Sequence, residues 1–399
     1  KFGPRSIAKD WAERSSATAK YFTGHTGQYV PPQARIAGRF RPKSINDVIQ
    51  DNIWNDTNSG LPDLKRKGLV KDKFFNHDLL KSELDMKYPA VLFTRTQEGG
   101  KTRDVWGYPI SDTIWEHSFY QPLLSERKQL FHRAALRGPD EVDIAVTEMF
   151  ASMGSKQSIV AVDFSAYDQS ISGDLQRDAW SRVLEYFQEK HHDELREIAL
   201  RFRTIGLVTP DGVWNGQHGV PSGSVFTNEI DSLVQENVAL SFDPRIVNEK
   251  RCNIQGDDGI YVVDDDVIYD FQDNFRAVGL DINSEKSSVS DIETTYLQRY
   301  YHPNYSDDFV LRGVYSTFRA LNRIVHMERW TNLDGAEISG EDFFAIRAIS
   351  ILENCKHHPW FPELVKYVAS FDRMNLAFNK AAVSDYVKLT RSRSGGLAN

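Results

Sequence analysis

The stretches SIVAVDFSAYDQS (158–170) and CNIQGDDGIYVV (252–263) decide how this chain reads. Ser158 to Val162 is a short β-branched and apolar run, the signature of a buried strand, and it ends where Asp163 begins. Cys252 to Val263 is a second such run, broken by Gly256-Asp257-Asp258. A polar triplet between two apolar stretches suits a hairpin whose tip presents both carboxylates. Paired in space, Asp163 and Asp257 would supply hard oxygen ligands for two Mg²⁺ ions roughly 3.5–4 Å apart, with Asp258 secondary. That arrangement activates an attacking hydroxyl and stabilises a leaving pyrophosphate. Gly-Asp-Asp alone is a common surface turn, and Asp163-x4-Asp168 alone is less specific still. Their order, and the strand abutting each, are features that a solvated loop does not need.

Outward from these clusters, the 399 residues, 40% of them hydrophobic, suffice for a large core, and length alone suggests two or three domains. Cys252 and Cys355 are too few for a disulfide framework or a Cys-based zinc site, which fits a reducing, intracellular setting. No apolar run approaches the roughly 18 residues of a membrane span, and no signal peptide opens the chain. The first residue is Lys1 rather than Met, which reads as missing natural N-terminal sequence. A net charge of −8 runs against the basic footprint of a nucleic-acid binder. Mapped along the chain, however, Gly60 to Arg103 holds ten Lys/Arg against six Asp/Glu, whereas Asp257 to Glu293 holds eleven acids and only Arg276 and Lys286. A metal-binding floor with a basic approach divides in this way.

Periodicity supplies the elements. Gly173 to Lys190 carries Leu175, Ala179, Val183, Leu184 and Phe187 on one helical stripe, with His191, His192 and Asp193 capping or solvating its end. Leu207 to Trp214 reads as a hairpin around Pro210-Asp211-Gly212. A helix is expected from Ser224 to about Leu240 and another over Val267–Val278. Strand, helix, hairpin, helix and strand make the split βαβ pattern of a ferredoxin-like unit. The SRSGG tail at 392–396 reads as disordered.

Seven pieces in order, SGLP (59–62), RTQEGGKTRDVWGYP (95–109), DFSAYD (163–168), VPSGSVFTNEID (220–231), QGDDG (255–259), GLDINSEKS (279–287) and TYLQR (295–299), resemble the conserved set of viral RNA-dependent RNA polymerases. The nearest likeness is to those of picobirnaviruses and partitiviruses, whose genomes are double-stranded RNA. The resemblance implies an α+β right-hand polymerase: fingers at 1–157, a ferredoxin-like palm at 158–300 with a fingers insertion at about 174–218, and a helical thumb at 301–399. It implies template-directed RNA synthesis in replication and transcription of a viral genome, with Mg²⁺ as cofactor and Mn²⁺ as the alternative. The partners it implies are RNA template and product duplex, ribonucleoside triphosphates and a capsid protein, in host cytoplasm and within the virion. Reverse transcriptases, the rival reading, commonly place a bulky aromatic where Asp168 stands. A non-catalytic RNA-binding subunit, the other alternative, would leave Asp163, Asp257 and Asp258 to repel one another and phosphate without metals. A metal-dependent nuclease would not require the 222–231 helix to be paired with Lys101 and Arg103.

The remaining candidates follow from the same pieces. Thr227 and Asp231 lie four residues apart on one helical face, toward Asp168, and would read the ribose; positive-strand relatives usually have Asn where Asp231 stands. An ionised aspartate accepts hydrogen bonds and donates none. Ser222-Gly223 would form a flexible turn letting backbone approach nucleotide and template. After Gly99-Gly100, Lys101 and Arg103 alternate onto one face of an extended strand and can both point at a triphosphate, joined by Arg95. Lys286 is the candidate general acid for the pyrophosphate. Ser59 and Gly60 are expected at the RNA, Arg299 at the primer strand, and Arg319, Arg323 and His326 form a basic stripe on the helix STFRALNRIVHMERW, suited to duplex phosphates.

Overall fold

The computed structural model describes residues 8–24, 38–96, 101–327, 338–372 and 382–386. Helices α1 (Trp11–Ala19), α2 (Ile45–Asp51) and α3 (His77–Asp85) precede the antiparallel ribbon β1 (Ala90–Thr96) and β2 (Thr102–Gly107). Next come α4 (Ile110–Arg127), α5 (Pro139–Ser152), β3 (Gln157–Val162), α6 (Tyr167–Ser170), α7 (Gly173–Tyr186) and α8 (His192–Thr204). The hairpin β4 (Leu207–Thr209) and β5 (Gly212–Trp214) leads to α9 (Thr227–Phe242), β6 (Cys252–Gln255), β7 (Asp258–Asp264), α10 (Ile268–Ala277) and β8 (Ser288–Ser290). Short strands follow, β9 (Thr294–Tyr296), β10 (Arg299–Tyr301), β11 (Ser306–Asp307), β12 (Val310–Leu311) and β13 (Val314–Tyr315), then α11 (Thr317–Val325), α12 (Gly340–Glu353) and α13 (Phe361–Ser370).

The run Gln157–Val162 becomes an interior strand because both its faces are apolar and both are covered. The sheet order is β6-β7-β3-β8 with every neighbour antiparallel, the ferredoxin-like order expected from the sequence. Alternate residues point to opposite faces. Val160 and Val162, with Tyr261 and Val263, pack against α7, α9 and α10 through Trp180, Val183, Leu233, Val234 and Phe271. Ile159 and Ala161, with Ile260 and Val262, pack on the other side against Val142, Ala145, Val146 and Met149 of α5. A second sheet, ordered β2-β1-β4-β5, joins the hairpin at 207–214 to the earlier ribbon, with Ala90 opposite Leu207 in parallel register. No helix among the described residues is long and apolar enough to cross a membrane.

Three boundaries differ from the sequence expectation. Helix α7 ends at Tyr186 rather than Lys190, because the carbonyl of Tyr186 accepts from Arg39 and Phe40 and the chain at 187–188 pairs with Phe40. His192 then starts α8, its Nε2 bonded to the Phe187 carbonyl at 3.0 Å. Helix α9 begins at Thr227 rather than Ser224. Helix α11 ends at Val325, so His326 lies beyond it, and 328–330 of the expected stripe fall outside the described residues, as do Gly99, Gly100 and the 392–396 tail.

Candidate active site

The antiparallel register pairs Val162 with Gly259, so Asp163, one residue past β3, stands beside Asp258, one residue before that pair. Asp257 sits in the two-residue turn between Gln255 and Asp258. Gly256 makes this turn possible: its φ is +62°, and a Cβ there would meet Asn228 Nδ2 at 2.8 Å. The turn is clamped from α9. Gly256 N donates to Ser232 Oγ at 2.8 Å, Gln235 Nε2 donates to the Gly256 carbonyl at 2.6 Å, and Gln255 Nε2 donates to Asn228 Oδ1 at 2.8 Å. Tyr261 OH holds Gln235 Oε1 at 2.8 Å. Asn228, Ser232 and Gln235 escaped the sequence reading, although a polar stripe at i, i+4 and i+7 on a helix buried nearly all round was a legible signal.

Electrostatics mark the cluster as short of positive charge. Burial, then Asp257 and Asp163, push the Asp258 carboxyl up to about 7, with Arg103 opposing. Burial and Asp257 raise Asp168 to about 6, again against Arg103. Asp231 is raised well above the usual carboxylate range by burial and then by Asp168 and Asp257, and its Oδ1 makes no hydrogen bond. A carboxyl shifted in this direction favours its proton, and a protonated carboxyl donates as well as accepts, whereas an ionised one only accepts. Lys286 Nζ lies 3.1 Å from Asp163 Oδ1, and Ser287 Oγ accepts from Asp163 N at 3.0 Å. Oxygen donors with unrelieved mutual repulsion fit hard divalent cations. The carboxylates of Asp163, Asp257 and Asp258 do not all close to within 4.8 Å of one another.

The neighbouring candidates assemble around this centre. Arg103 on β2 stands opposite Arg95 on β1, and Lys101 immediately precedes β2. Asp168 presents its main-chain carbonyl to Val220 N at 2.7 Å, bringing the 220–226 segment against it. Ser222-Gly223 is clasped rather than flexible: Ser222 Oγ donates to the Asp104 carbonyl at 3.2 Å and accepts from Trp106 N at 3.3 Å. A Cβ on Gly223 would meet the Trp106 carbonyl oxygen at 1.6 Å, so the close approach the sequence predicted is to β2. Glu116 of α4, unsuspected from sequence, accepts from Ser224 Oγ at 2.9 and 2.8 Å and from Val225 N at 2.8 Å. Burial raises this carboxyl to about 8 despite those bonds. Thr227 Oγ1 donates to the Pro221 carbonyl at 2.7 Å.

The outlying candidates are more internal than expected. Ser59 is fully buried, its hydroxyl taken by Lys65 N at 3.1 Å, so its side chain holds the loop on which Lys65 and Arg66 are exposed. Gly60, at φ +63°, lets the main chain pass the Tyr108 carbonyl, which a Cβ would meet at 2.4 Å. Arg299 reaches the Gly313 carbonyl at 3.5 Å and Asn354 Oδ1 at 3.3 Å. Arg319 and Arg323 are half-buried, and Arg323 Nη1 donates to Tyr315 OH at 3.4 Å; the outermost side chains of α11 are Phe318 and Val325.

Residues 88–370 match the family described as viral RNA-dependent RNA polymerase. A protein called potential RNA-dependent RNA polymerase, from Human picobirnavirus (strain Human/Thailand/Hy005102/-), is 30% identical over 411 residues, covering 94% of this chain and 75% of the relative. The crystal structure of the RNA-dependent RNA polymerase of a human picobirnavirus superposes with a TM-score of 0.81 at 26% identity, over 98% of this chain and 79% of that one. Its insertion loop deletion mutant gives 0.82 at 26% identity, over 98% and 82%. The fold is the right-hand polymerase fold in α+β form. A family match across most of its length and relatives alike in sequence and structure agree with the acidic turn, and this chain belongs to the viral RNA-dependent RNA polymerases.

Proposed function

We propose that this polymerase replicates and transcribes a viral RNA genome, with Asp163, Asp257 and Asp258 as ligands of two divalent ions. The register that sets Asp163 beside Asp258 at the clamped Gly256-Asp257 turn carries this reading. When bound, two Mg²⁺ ions, or Mn²⁺ in their stead, lower the pKa of an attacking 3′-hydroxyl and neutralise the leaving pyrophosphate. Arg103, with Lys101 and Arg95, receives the triphosphate; the effect of Arg103 on both Asp168 and Asp258 supports its closeness to the reacting groups. Asp168 and Asp231 hydrogen-bond the ribose hydroxyls, on a surface fixed by Thr227, Ser222 and Gly223. Lys286, now on Asp163, is within reach of the leaving group and protonates it.

The assignment of fingers (1–157), palm (158–300) and thumb (301–399) accounts for the two sheets and the terminal helices. The pairing of β4 with β1 favours counting about 174–218 with the fingers. Lys65 and Arg66, with Arg299, Arg319 and Arg323, are assigned to template and product phosphates. A capsid partner, and synthesis inside the virion in host cytoplasm, complete the proposal.

The test is incubation of the purified chain with single-stranded RNA, four ribonucleotides and Mg²⁺, with and without primer, followed by sizing of the product. Asp257→Ala is expected to abolish nucleotide addition while leaving the circular dichroism spectrum unchanged. Wild-type turnover by that variant would remove Asp257 from the metal site.

A further inference from the structure

On the face of the β6-β7-β3-β8 sheet that α5 covers, this helix meets the connection between α12 and α13. Asp140 and Asp143 of α5 and His357 of that connection each offer one donor atom, and the three atoms lie within 4.8 Å of one another. Asp143 is buried to 1% exposure, yet its Oδ2 makes no hydrogen bond; Arg312 Nη1 lies 3.9 Å from it. Its other oxygen, Oδ1, is held by Tyr301 OH at 3.0 Å and Gly313 N at 3.2 Å, which fixes the carboxylate in place. His357 Nε2 is likewise enclosed and without a hydrogen bond. A buried carboxylate oxygen and a buried imidazole nitrogen, both without a hydrogen bond and grouped with a second carboxylate, are a costly arrangement unless something occupies the space between them.

We propose that Asp140, Asp143 and His357 bind one divalent first-row transition ion, Zn²⁺ or Mn²⁺, at a site separate from the Asp163–Asp257 turn. Two carboxylates and an imidazole suit these ions, whereas Mg²⁺ takes an all-oxygen shell. The Tyr301 and Gly313 bonds to Asp143 are the outer shell such a ligand needs. Lys356 is the competitor: its Nζ lies 3.0 Å from Asp140 Oδ1, and with a side chain 37% exposed it can swing into water when the ion arrives. The bound ion staples α5, and with it the sheet, to the α12–α13 connection. Metal content at this point therefore governs how firmly the C-terminal helices sit.

The experiment uses the full chain with the aspartate turn disabled, as Asp163→Asn, Asp257→Asn and Asp258→Asn together, titrated by calorimetry with Zn²⁺ and separately with Mn²⁺. One ion per chain is expected for at least one metal, with a rise in Tm on addition; which metal binds identifies the ion. Adding His357→Gln should weaken binding by more than about tenfold, and Lys356→Met should tighten it by removing the competing ammonium. Lys356 is exposed and His357 half-buried on a connection outside the sheet core, so these variants test the site even where Asp143→Asn fails to fold. Absence of binding by either metal in the disabled chain, or binding unchanged by His357→Gln, would overturn the proposal.

Discussion

At the scale of single residues, the environment of each carboxylate decides its chemistry. As a proposed metal ligand, Asp258 takes up protons in competition with cations, its carboxyl being pushed up to about 7. Raising pH through that value strips the proton, so the Mg²⁺ concentration needed for half-maximal activity should fall as pH rises across it, as a magnesium titration at each pH would record. If Asp231 holds its proton when nucleotide binds, it resembles an amide in donating and accepting: Asp231→Asn should then keep the preference for ribonucleotides over deoxyribonucleotides and Asp231→Ala should lose it, judged by the ratio of kcat/KM; equal loss in both would assign the ionised form to the site. Arg103→Ala should raise the nucleotide KM more than it weakens RNA binding, because a charge-assisted contact to the triphosphate is lost. The aspartates were legible because a charged residue against an apolar run is conspicuous in one dimension. Glu116 was not, because its partners Ser224 and Val225 lie over a hundred positions away and nothing local marks it.

At the scale of elements, α9 does most to hold the site together. Asn228, Ser232 and Gln235 clamp the Gly256 turn, and among them on the same helix Glu229 and Glu236 form buried ion pairs with Arg127, Arg133 and Arg182. Burial alone would raise Glu236, but Arg182, Arg127 and His132 outweigh it and hold the carboxyl well below the usual range. A depressed carboxyl contributes stability above its unfolded value that is lost as pH falls through the folded one, so this network weakens in acid. Glu236→Ala leaves Arg182 without its carboxylate and Arg127 with Glu229 alone, and should cost about 3–5 kcal/mol in chemical denaturation. Strands and hairpins were read well from sequence, since alternation and turn residues act locally. Helix ends were read less well: α9 starts late because Glu116 engages the preceding turn, and α7 stops early because 38–40 pairs with its last residues. Both are tertiary decisions that no propensity carries.

For the whole molecule, a net charge of −8 means that RNA is held by placed cations rather than by diffuse attraction. Each phosphate contact removed should flatten the dependence of log K on log salt by roughly 0.7–0.9. Lys65→Ala with Arg66→Ala should flatten it more than Arg319→Ala with Arg323→Ala, since Arg323 is already engaged with Tyr315. The reverse order would put α11 on the duplex. The segment feeding α9 also bears on how such a virus can change. Gly223 tolerates no side chain beneath Trp106, and Gly256, held by Ser232 and Gln235, tolerates none beside Asn228. A drug wedged against Ser222–Thr227 would thus meet a surface tied to the catalytic turn through one rigid helix. Escape substitutions there would disturb Asp257 as well, so resistance should come with slower copying and be lost when the drug is withdrawn.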